Sequence, residues 1–293
     1  MHVAIATGRT HPELSPSNAC YAGALTRLGA EVTVLAWNRD PVQRFLEADL
    51  VVLRQTWDYI LDAAGFAAWL AGLTRRGARI ANPAAVAIWN NDKRCLIELG
   101  AAGFETPATI DLAHIEAEAA AKHIGGNRFV LKPAYGGGGY GVRLAERGTV
   151  AAQLADAQKE TPGTPFLLQA FLPEIAEGEW TLCFTAGEFS HACLKVPAAG
   201  EFRVNGRFGP TIRRATPSAE VLATATAIAR HAGDDLLYAR VDGVLREGRF
   251  VCTELELTDP DLHLETEDDS ADRLARATFA YAGERPSAPA LQE

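Results

Sequence analysis

Short apolar runs alternate with helical periods along the first 80 residues of the chain. The pattern predicts strands and helices in turn: strands over 2–7, 31–36, 49–54 and 79–81, and helices over 18–29 and 62–77. Buried strands separated by amphipathic helices are typical of an α/β unit with a parallel sheet. Residues 1–90 are therefore predicted to form an N-terminal α/β domain.

The pattern changes after the turn signal Asn82-Pro83. A helix is predicted over 91–101, with Lys93 on its first turn. A mixed sheet with one covering helix is predicted next: strands over 128–132, 141–144, 166–170, 180–186 and 189–196, and a helix over 149–159. Residues 197–216 read as a long charged loop. A helix over 217–232, two strands over 236–245 and 249–257, and a helix near 268–282 follow, and the Pro/Ala-rich tail is expected to be frayed.

Three acidic residues lie in the two apolar segments 236–245 and 249–257, which read as a hairpin: Asp242, Glu254 and Glu256. If residues 247–249 form the loop, Arg246 pairs with Phe250, Asp242 lies opposite Glu254, and Arg240 faces Glu256. The other face is then apolar, with Val241, Leu245, Val251 and Leu255. Carboxylates this close repel one another, and the usual relief is a hard divalent ion such as Mg²⁺ shared with substrate phosphates. The alternative is a solvated face on an edge hairpin.

A glycine tract interrupts the segment FVLKPAYGGGGYGVRL, residues 129–144. Gly136, Gly138 and Gly141 match G-x-G-x-x-G, but a strand follows where a dinucleotide-binding fingerprint opens a helix, and no Lys-Ser/Thr pair follows as in a Walker loop. Glycine lets backbone N–H groups approach an anion closely. The segment is interpreted as a flap over a triphosphate, and the alternative is a mobile loop without a ligand.

Composition limits the remaining possibilities. The 293 residues carry a net charge of −9, which disfavours nucleic acid or an anionic membrane surface as the main partner. The sequence shows no apolar run of membrane-spanning length, and Met1–His2–Val3 leads into a strand without a charged and apolar leader, so a cytoplasmic protein is expected. The five cysteines include no C-x-x-C pair and are interpreted as buried thiols.

Taken in order, these motifs resemble the ATP-grasp carboxylate–amine ligases. The resemblance depends on a first lysine in NNDK, a second in VLKP before the glycine flap, and TELELTDP preceded by YARVD, and it covers most of residues 80–265. Bacterial glutathione synthetases look similar across the last motif, with Asn in the place of Glu256. The subgroup of cyclases that form D-cycloserine from O-ureido-D-serine is more similar, through R-x-T-W-D-Y at 54–59 and G-x-F-S-H-A-x-x-K-x-P at 187–197. That subgroup continues with Glu-Pro-Ser-Leu and an aromatic where this chain has 259–263, so the substrate pocket is expected to differ.

The resemblance implies an ATP-grasp fold of mixed α/β and α+β class. Its parts would be an N-terminal α/β substrate domain over 1–90, a small subdomain with the glycine flap over 91–172, and a C-terminal mixed-sheet subdomain with the metal site over 173–293. Two Mg²⁺ ions, with Mn²⁺ as the alternative, would be held by Asp242, Glu254 and Glu256. The resemblance also implies ATP-binding residues: Lys93 and Lys132 for phosphates, Gly137, Gly138 and Gly139 in the flap, Gln169, Phe171 and Leu172 in the hinge that reads adenine, and Glu179 for the ribose.

Arginine is suited to planar carboxylates and to acyl phosphates because its guanidinium donates two parallel hydrogen bonds. The candidates for catalysis are Arg240, Arg213 and Lys195, and those for substrate binding are Arg54, Thr56, Asp58 and Arg203. Arg240 is favoured for the transferring group because the hairpin register places it beside Glu256. Asp58, between two aromatic residues, could bind an ammonium group, or the segment could be a polar turn with aromatic core plugs.

The function expected from these residues is ATP-dependent C–N bond formation. A small amino-acid-like carboxylate would be phosphorylated by ATP, and a nitrogen would then displace phosphate from the acyl phosphate. The cyclisation that makes D-cycloserine or a related product, an intermolecular dipeptide or glutathione-type ligation, and a catalytically silent nucleotide-binding module all remain open. The expected partners are ATP and the small substrate, and a homo-oligomer is compatible with the sequence.

Overall fold

The computed structural model describes residues 1–283. The N-terminal unit contains a four-stranded parallel sheet of order β2-β1-β3-β4, made of β1 (His2–Thr7), β2 (Glu31–Ala36), β3 (Leu50–Gln55) and β4 (Ile80–Ala81). Its helices are α1 (Pro16–Arg27), α2 (Val42–Leu46) and α3 (Ala63–Arg75). Side chains cap α1 and α3, because Ser15 accepts from the N–H of Asn18 and Asp62 from that of Gly65. The α/β prediction is confirmed, and α2 is an additional short helix.

The predicted helix over 91–101 is wrong at its start. The chain forms two helices, α4 (Ala84–Asn90) and α5 (Cys95–Ala101), and Lys93 lies in the turn between them. There its backbone N–H donates a 2.8 Å hydrogen bond to the carbonyl of Ala134, just after the VLKP strand. This tertiary bond fixes Lys93 beside the glycine segment, and a local helix signal cannot anticipate it.

A small antiparallel sheet of order β5-β8-β6-β7 carries the glycine segment. Its strands are β5 (Thr109–Asp111), β6 (Arg128–Pro133), β7 (Arg143–Glu146) and β8 (Phe166–Ala170), covered by α6 (Ala117–Ile124) and α7 (Val150–Glu160). The sequence pattern did not reveal β5 or α6, since a three-residue strand and an alanine-rich helix give little periodic signal. The glycines connect β6 to β7 as predicted.

A larger antiparallel sheet has the order β11-β10-β9-β12-β13. It consists of β9 (Glu179–Thr185), β10 (Glu188–Val196), β11 (Thr211–Arg214), β12 (Tyr238–Arg246) and β13 (Arg249–Glu256), and α8 (Ala219–His231) packs on it. The prediction that 180–186 and 189–196 belong to the sheet of the glycine loop is therefore wrong. Residues 197–216 are also not a plain loop, because β11 pairs with β10.

The last helix, α9 (Ser270–Tyr281), packs mainly on α1 of the N-terminal unit and also contacts the large sheet, where Arg273 donates to Ser190 of β10. The Tyr21 hydroxyl lies 2.7 Å from the Thr278 hydroxyl, and Arg79 donates to the carbonyls of Tyr281 and Ala282. The chain thus returns to its first domain, and the boundaries at 90 and 172 remain a proposal. The frayed tail predicted after this helix lies outside the described residues. No helix within residues 1–283 has both the length and the hydropathy needed to cross a membrane.

Candidate active site

In the acidic hairpin, the acidic residues pair across the two strands as predicted, but the loop that connects the strands differs from the predicted one. Glu247 and Gly248 form a two-residue turn with φ of 53° and 81°, so Arg246 pairs with Arg249 rather than with Phe250. Such a turn matches the right-handed twist of the two strands. An irregularity in the ladder next to Asp242 then adds one residue to β13, which restores the pairs Asp242–Glu254 and Arg240–Glu256.

This extra residue changes which side chains form the apolar faces. Phe250 and Cys252 pack in the core with Val241 and Leu255, whereas Val251 packs with Val244 and Leu172 in a separate cluster. The prediction that Val251 lies on the same apolar face of the hairpin as Val241 and Leu255 is therefore wrong. The cause is local, because residues before and after a bulge differ by one step in the strand alternation.

Arg240 lies at the centre of the three carboxylates. Its Nη2 atom is 2.8 Å from Asp242 Oδ2, 2.9 Å from Glu256 Oε2 and 4.0 Å from Glu254 Oε2. Lys93 forms an ion pair with Glu254. The structure therefore brings the three predicted metal ligands together, and basic side chains relieve their mutual repulsion.

Lys195 supports this cluster from β10, which is separated from the acidic hairpin by β9. Its Nζ atom is 2.9 Å from Glu179 Oε2 and 3.6 Å from Asp242 Oδ2. Glu179 also accepts a 2.8 Å hydrogen bond from the Thr253 hydroxyl. Glu179, assigned to the ribose from sequence, is thus tied to Lys195 and Thr253 at the edge of the acid cluster.

The carboxylates differ in protonation because their environments differ. Burial alone would raise the pKa of Asp242, but Arg240 and Lys195 outweigh it and hold that pKa at about 2. Burial likewise opposes ionisation of Glu254, and Lys93 and Arg240 still lower its pKa. Burial raises the pKa of Glu256 to about 7 despite Arg240, with Glu254 adding to the rise. Two of the three acids are therefore ionised at neutral pH, as cation ligands must be.

The side chains are not arranged as a metal cage. Among residues 1–283, no group of three or more His, Cys, Asp or Glu side chains is placed to hold a metal ion. Asp242 is fully buried, and its oxygens accept from Arg240 and from the Thr181 hydroxyl at 2.7 Å. Metal binding by all three acids would require Arg240 to release Asp242, so the metal assignment remains a proposal.

A pocket between the small and large sheets adjoins the acids. Lys132 donates a 3.2 Å hydrogen bond to Gln169 Oε1, and Gln169 donates to the Thr109 hydroxyl. Lys93 and Glu254 reach the same pocket. The other ATP-binding residues expected from sequence also line it: Gly137, Gly138, Gly139, Phe171, Leu172 and Glu179. The structure thus gathers the whole predicted nucleotide set around one cavity.

The glycine flap is held by the loop before β11. A Cβ atom on Gly139 would lie 2.6 Å from Asn205 Oδ1 and 2.8 Å from the Phe208 ring, so any other residue would displace these side chains. Arg203 stacks 3.7 Å above the Phe208 ring and donates to the carbonyl of Val142 at 3.4 Å. Arg203, expected to bind substrate, is therefore a contact to the flap. Asn205 and Phe208 were missed, and the unusual charge of the 197–216 segment was the available signal.

Two further assignments need correction. Asp58 is buried and accepts from Trp37 at 2.7 Å, from Asn38 at 3.0 Å and from Thr10, which leaves no place for a substrate ammonium. Its role is to join three loops of the N-terminal unit. Arg213 pairs with Leu194 in the β10–β11 ladder, whereas Lys195 pairs with Ile212, so strand alternation puts Arg213 on the face opposite the acids.

Arg54 and Thr56 lie inside the junction of the N-terminal and C-terminal parts. Arg54 is fully buried, donates to Asn18 Oδ1 at 3.0 Å, and has its guanidinium 5.0 Å from the ring centre of Tyr238. Thr56 donates to Asp259 at 2.7 Å. The Nη1 and Nη2 atoms of Arg54 are buried and have no hydrogen-bond partner among the described residues, so direct contact between Arg54 and the substrate remains a proposal.

Comparison with known proteins accounts for this combination of parts. The family described as D-cycloserine synthetase DcsG, N-terminal domain, matches residues 3–82, and the family described as prokaryotic glutathione synthetase, ATP-grasp domain, matches residues 103–245. The chain belongs to the ATP-grasp ligase family. Members of this family are ADP-forming C–N ligases, and the sequence-based assignment of family, fold and enzyme class is confirmed.

Among ATP-grasp relatives, the similarity to one subgroup extends over nearly the whole chain. The cycloserine biosynthesis protein DcsG of Streptomyces lavendulae is 29% identical over 87% of this chain and 90% of its own length. The crystal structure of D-cycloserine synthetase DcsG superposes with a TM-score of 0.83 at 26% identity, over 96% of this chain and all of that one. The glutathione synthetase of Bradyrhizobium diazoefficiens is 32% identical, but this chain spans only 41% of its length.

Proposed function

We propose that the protein uses ATP to activate a small amino-acid-like carboxylate and then closes a C–N bond within the same molecule, as in the formation of D-cycloserine or a related ring. The observation that carries the proposal is the similarity to the cycloserine biosynthesis protein over 90% of that protein's length, including the N-terminal unit. The N-terminal match to the DcsG domain supports the substrate side specifically. The glutathione synthetases match only about two fifths of their length.

ATP-grasp enzymes in general use ATP and Mg²⁺. The donor set here is suited to Mg²⁺, because Asp242, Glu254 and Glu256 offer carboxylate oxygens on neighbouring positions of one hairpin. These three residues would hold the ion once Arg240 yields its contacts to them. Bound Mg²⁺ would neutralise negative charge on the β and γ phosphates.

The residues of the chain have distinct tasks in this proposal. Lys93 and Lys132 line the pocket and would bind phosphate oxygens of ATP. Arg240, beside Glu256, would stabilise the negative charge of the transferring group and of the acyl phosphate. Lys195 keeps Asp242 ionised through the 3.6 Å contact. The flap excludes water, which would otherwise hydrolyse the acyl phosphate before the nitrogen attacks.

Intermolecular ligation is the second candidate, and the matches to glutathione synthetases favour it. It uses the same phosphoryl transfer and differs only in the source of the nitrogen. A silent nucleotide-binding module is disfavoured, because nucleotide binding alone does not require three carboxylates set around one arginine.

Measuring ADP release across a panel of amino acids, each alone and then in pairs, tests the proposal. O-Ureido-D-serine, D-serine and D-alanine belong in the panel, with Mg²⁺ and ATP in excess. A cyclase releases ADP and phosphate with one amino acid and joins the activated carboxyl carbon to a nitrogen of the same molecule, so the ring has the mass of that compound minus water. When D-cycloserine is formed from O-ureido-D-serine, the carbamoyl group must leave as well, and the product has the mass of the compound minus water and HNCO. A requirement for two amino acids would establish ligation instead. If the protein binds ATP but releases ADP with none of these mixtures, the result would support the hypothesis of a catalytically silent nucleotide-binding module.

A further inference from the structure

Asp261 is the one residue of the segment 257–264 that is not buried. Its side chain is 31% exposed, similar to the 27% of Glu256 at the end of the acid strand. The function proposed above assigns it no role. The cyclases that this chain resembles have serine at this position, so the carboxylate is a feature of this chain and requires its own explanation.

Backbone contacts fix Asp261 over the face of the large sheet that carries the acids. The carbonyl of Asp261 accepts a 3.0 Å hydrogen bond from Arg240 Nη1, and the carbonyl of Leu262 accepts one of 2.7 Å from His191 Nε2. His191 and Arg240 both pair with Cys183 of β9, so their side chains project from the same face of the sheet. Asp261 is therefore anchored next to the arginine at the centre of the three carboxylates.

The Asp261 carboxylate is ionised, and one of its two oxygens is engaged. Oδ1 accepts a 3.0 Å hydrogen bond from the backbone N–H of His263, in a tight turn where His263 has a φ of 48°. Burial would raise the pKa of Asp261, but His263 and Arg240 outweigh it and lower that pKa. Among residues 1–283, no group donates a hydrogen bond to Oδ2. An ionised carboxylate only accepts hydrogen bonds, so this oxygen is suited to a cationic donor.

Other carboxylates that could receive a cation in this part of the molecule already have partners. Asp242 is paired with Arg240, and Glu254 with Lys93. Asp58, where the sequence predicted an ammonium site, accepts hydrogen bonds from its own neighbours. The solvent-exposed carboxylate beside Arg240 that has an oxygen to offer is that of Asp261.

We infer that Asp261 binds the α-ammonium group of the amino acid whose carboxylate is phosphorylated beside Arg240. The inference rests on the function proposed above and defines its substrate class as acids with a free, protonated α-amino group. One carbon atom separates the carboxylate of an amino acid from its ammonium group, so a substrate with its carboxylate at Arg240 brings its ammonium group to the adjacent Asp261. Acids that lack the amine leave this charge unpaired and are rejected.

The test is the variant Asp261→Asn, which keeps an oxygen to accept from the N–H of His263 and removes the charge. Binding of O-ureido-D-serine and of D-serine is measured by calorimetry with Mg²⁺ and AMP-PNP present. The analogues without the amine, 3-(ureidooxy)propanoate and 3-hydroxypropanoate, are measured in the same way. Wild-type protein should prefer an amino acid to its analogue by at least about tenfold, and Asp261→Asn should lose that preference.

Glu265→Gln is the matched control, because Glu265 Oε1 and Asp261 Oδ1 each lie 3.9 Å from His263 Nδ1. The control removes a charge of the same sign beside the same histidine and should keep the wild-type preference. Wild-type protein that binds neither amino acid, or binds each no better than its analogue, would overturn the inference. So would an unchanged preference in Asp261→Asn. Amino acids that bind with this preference but release no ADP from ATP would count against the proposed function alone.

Discussion

The Thr56 hydroxyl donates a 2.7 Å hydrogen bond to the buried carboxylate of Asp259, 203 residues further along the chain. This bond joins the N-terminal unit to the segment that follows the acid strand. Burial raises the pKa of Asp259 to about 7, and Thr56 and Arg54 only partly oppose that rise. The junction between the two halves of the chain therefore contains a carboxyl group that titrates near neutral pH.

Asp259→Asn should remove a pH dependence of stability. The folded-state pKa of about 7 exceeds the ordinary value of 3.8, so the folded protein binds more protons between these values and its stability falls as the pH rises from about 4 to 7. The Asp259→Asn variant has no carboxyl group at this position, so its free energy of unfolding should not show this fall. The free energy of unfolding of the variant minus that of the wild type should increase from pH 5 to pH 8, measured by urea denaturation. A difference that stays constant with pH would contradict the shifted pKa.

Glu254→Gln should reduce ATP turnover about a hundredfold or more while leaving the fold intact, because a ligand charge is lost at the phosphoryl-transfer site. The Lys93–Glu254 pair would be lost as well, so nucleotide affinity must be measured separately. Wild-type enzyme in EDTA should release no ADP. Undiminished ADP production in EDTA would show that no divalent cation is required.

Gly138→Ala and Gly139→Ala form a matched pair in the flap. Both glycines have positive φ, 57° and 71°, so each substitution carries a similar backbone strain of about 1–2 kcal/mol. Only at residue 139 would the new methyl group collide with Asn205 and Phe208, since a Cβ on residue 138 meets nothing within 4 Å. The KM for ATP should therefore rise more in Gly139→Ala. Equal values in the two variants would mean that the Asn205 loop does not hold the flap.

Lys132 should make nucleotide affinity sensitive to alkaline pH. Burial, together with the positive charge of Lys93, lowers the pKa of Lys132 to about 8. Because the ammonium form binds phosphate, affinity for AMP-PNP should fall as the pH rises through 8, by up to about tenfold per pH unit. Calorimetry at pH 7, 8 and 9 measures this. Lys132→Met should bind weakly and without the pH effect, and a wild-type affinity that is flat over this range would argue against the role of Lys132.

Asp58→Asn should damage stability rather than substrate use. The carboxylate accepts hydrogen bonds from Trp37, Asn38 and Thr10, and an amide would place a donor against one of these donors. A loss of about 1–3 kcal/mol in the free energy of unfolding is expected. The KM for the amino-acid substrate, measured well below the melting temperature, should not change. A large rise in that KM at unchanged stability would restore the ammonium-binding hypothesis.

The sequence by itself determined which segments carry the chemistry and their order along the chain: the two lysine motifs, the glycine flap and the acidic hairpin. The predicted pairs Asp242–Glu254 and Arg240–Glu256 are present, but they result from two differences that compensate each other: the turn is one residue shorter than predicted, and the bulge next to Asp242 adds one residue to β13. The lysines of NNDK and VLKP and the glycine flap were assigned to one nucleotide pocket, and all of them line it. Local patterns are informative where a site is built from short segments whose backbone conformation they specify.

Only the tertiary structure decided which polar residues face the site. Arg54 and Asp58 lie in a segment that resembles a binding motif. In the folded protein, however, Arg54 is enclosed between two tyrosine rings, and the Asp58 carboxylate accepts hydrogen bonds from neighbouring loops. Thr56 contacts Asp259, and α9 packs on α1, over separations of more than 200 residues. Such contacts depend on how complete sheets and helices pack, which the periodicity of one segment does not encode. The same polar side chain can serve substrate or scaffold, and the packing of distant elements around it determines which.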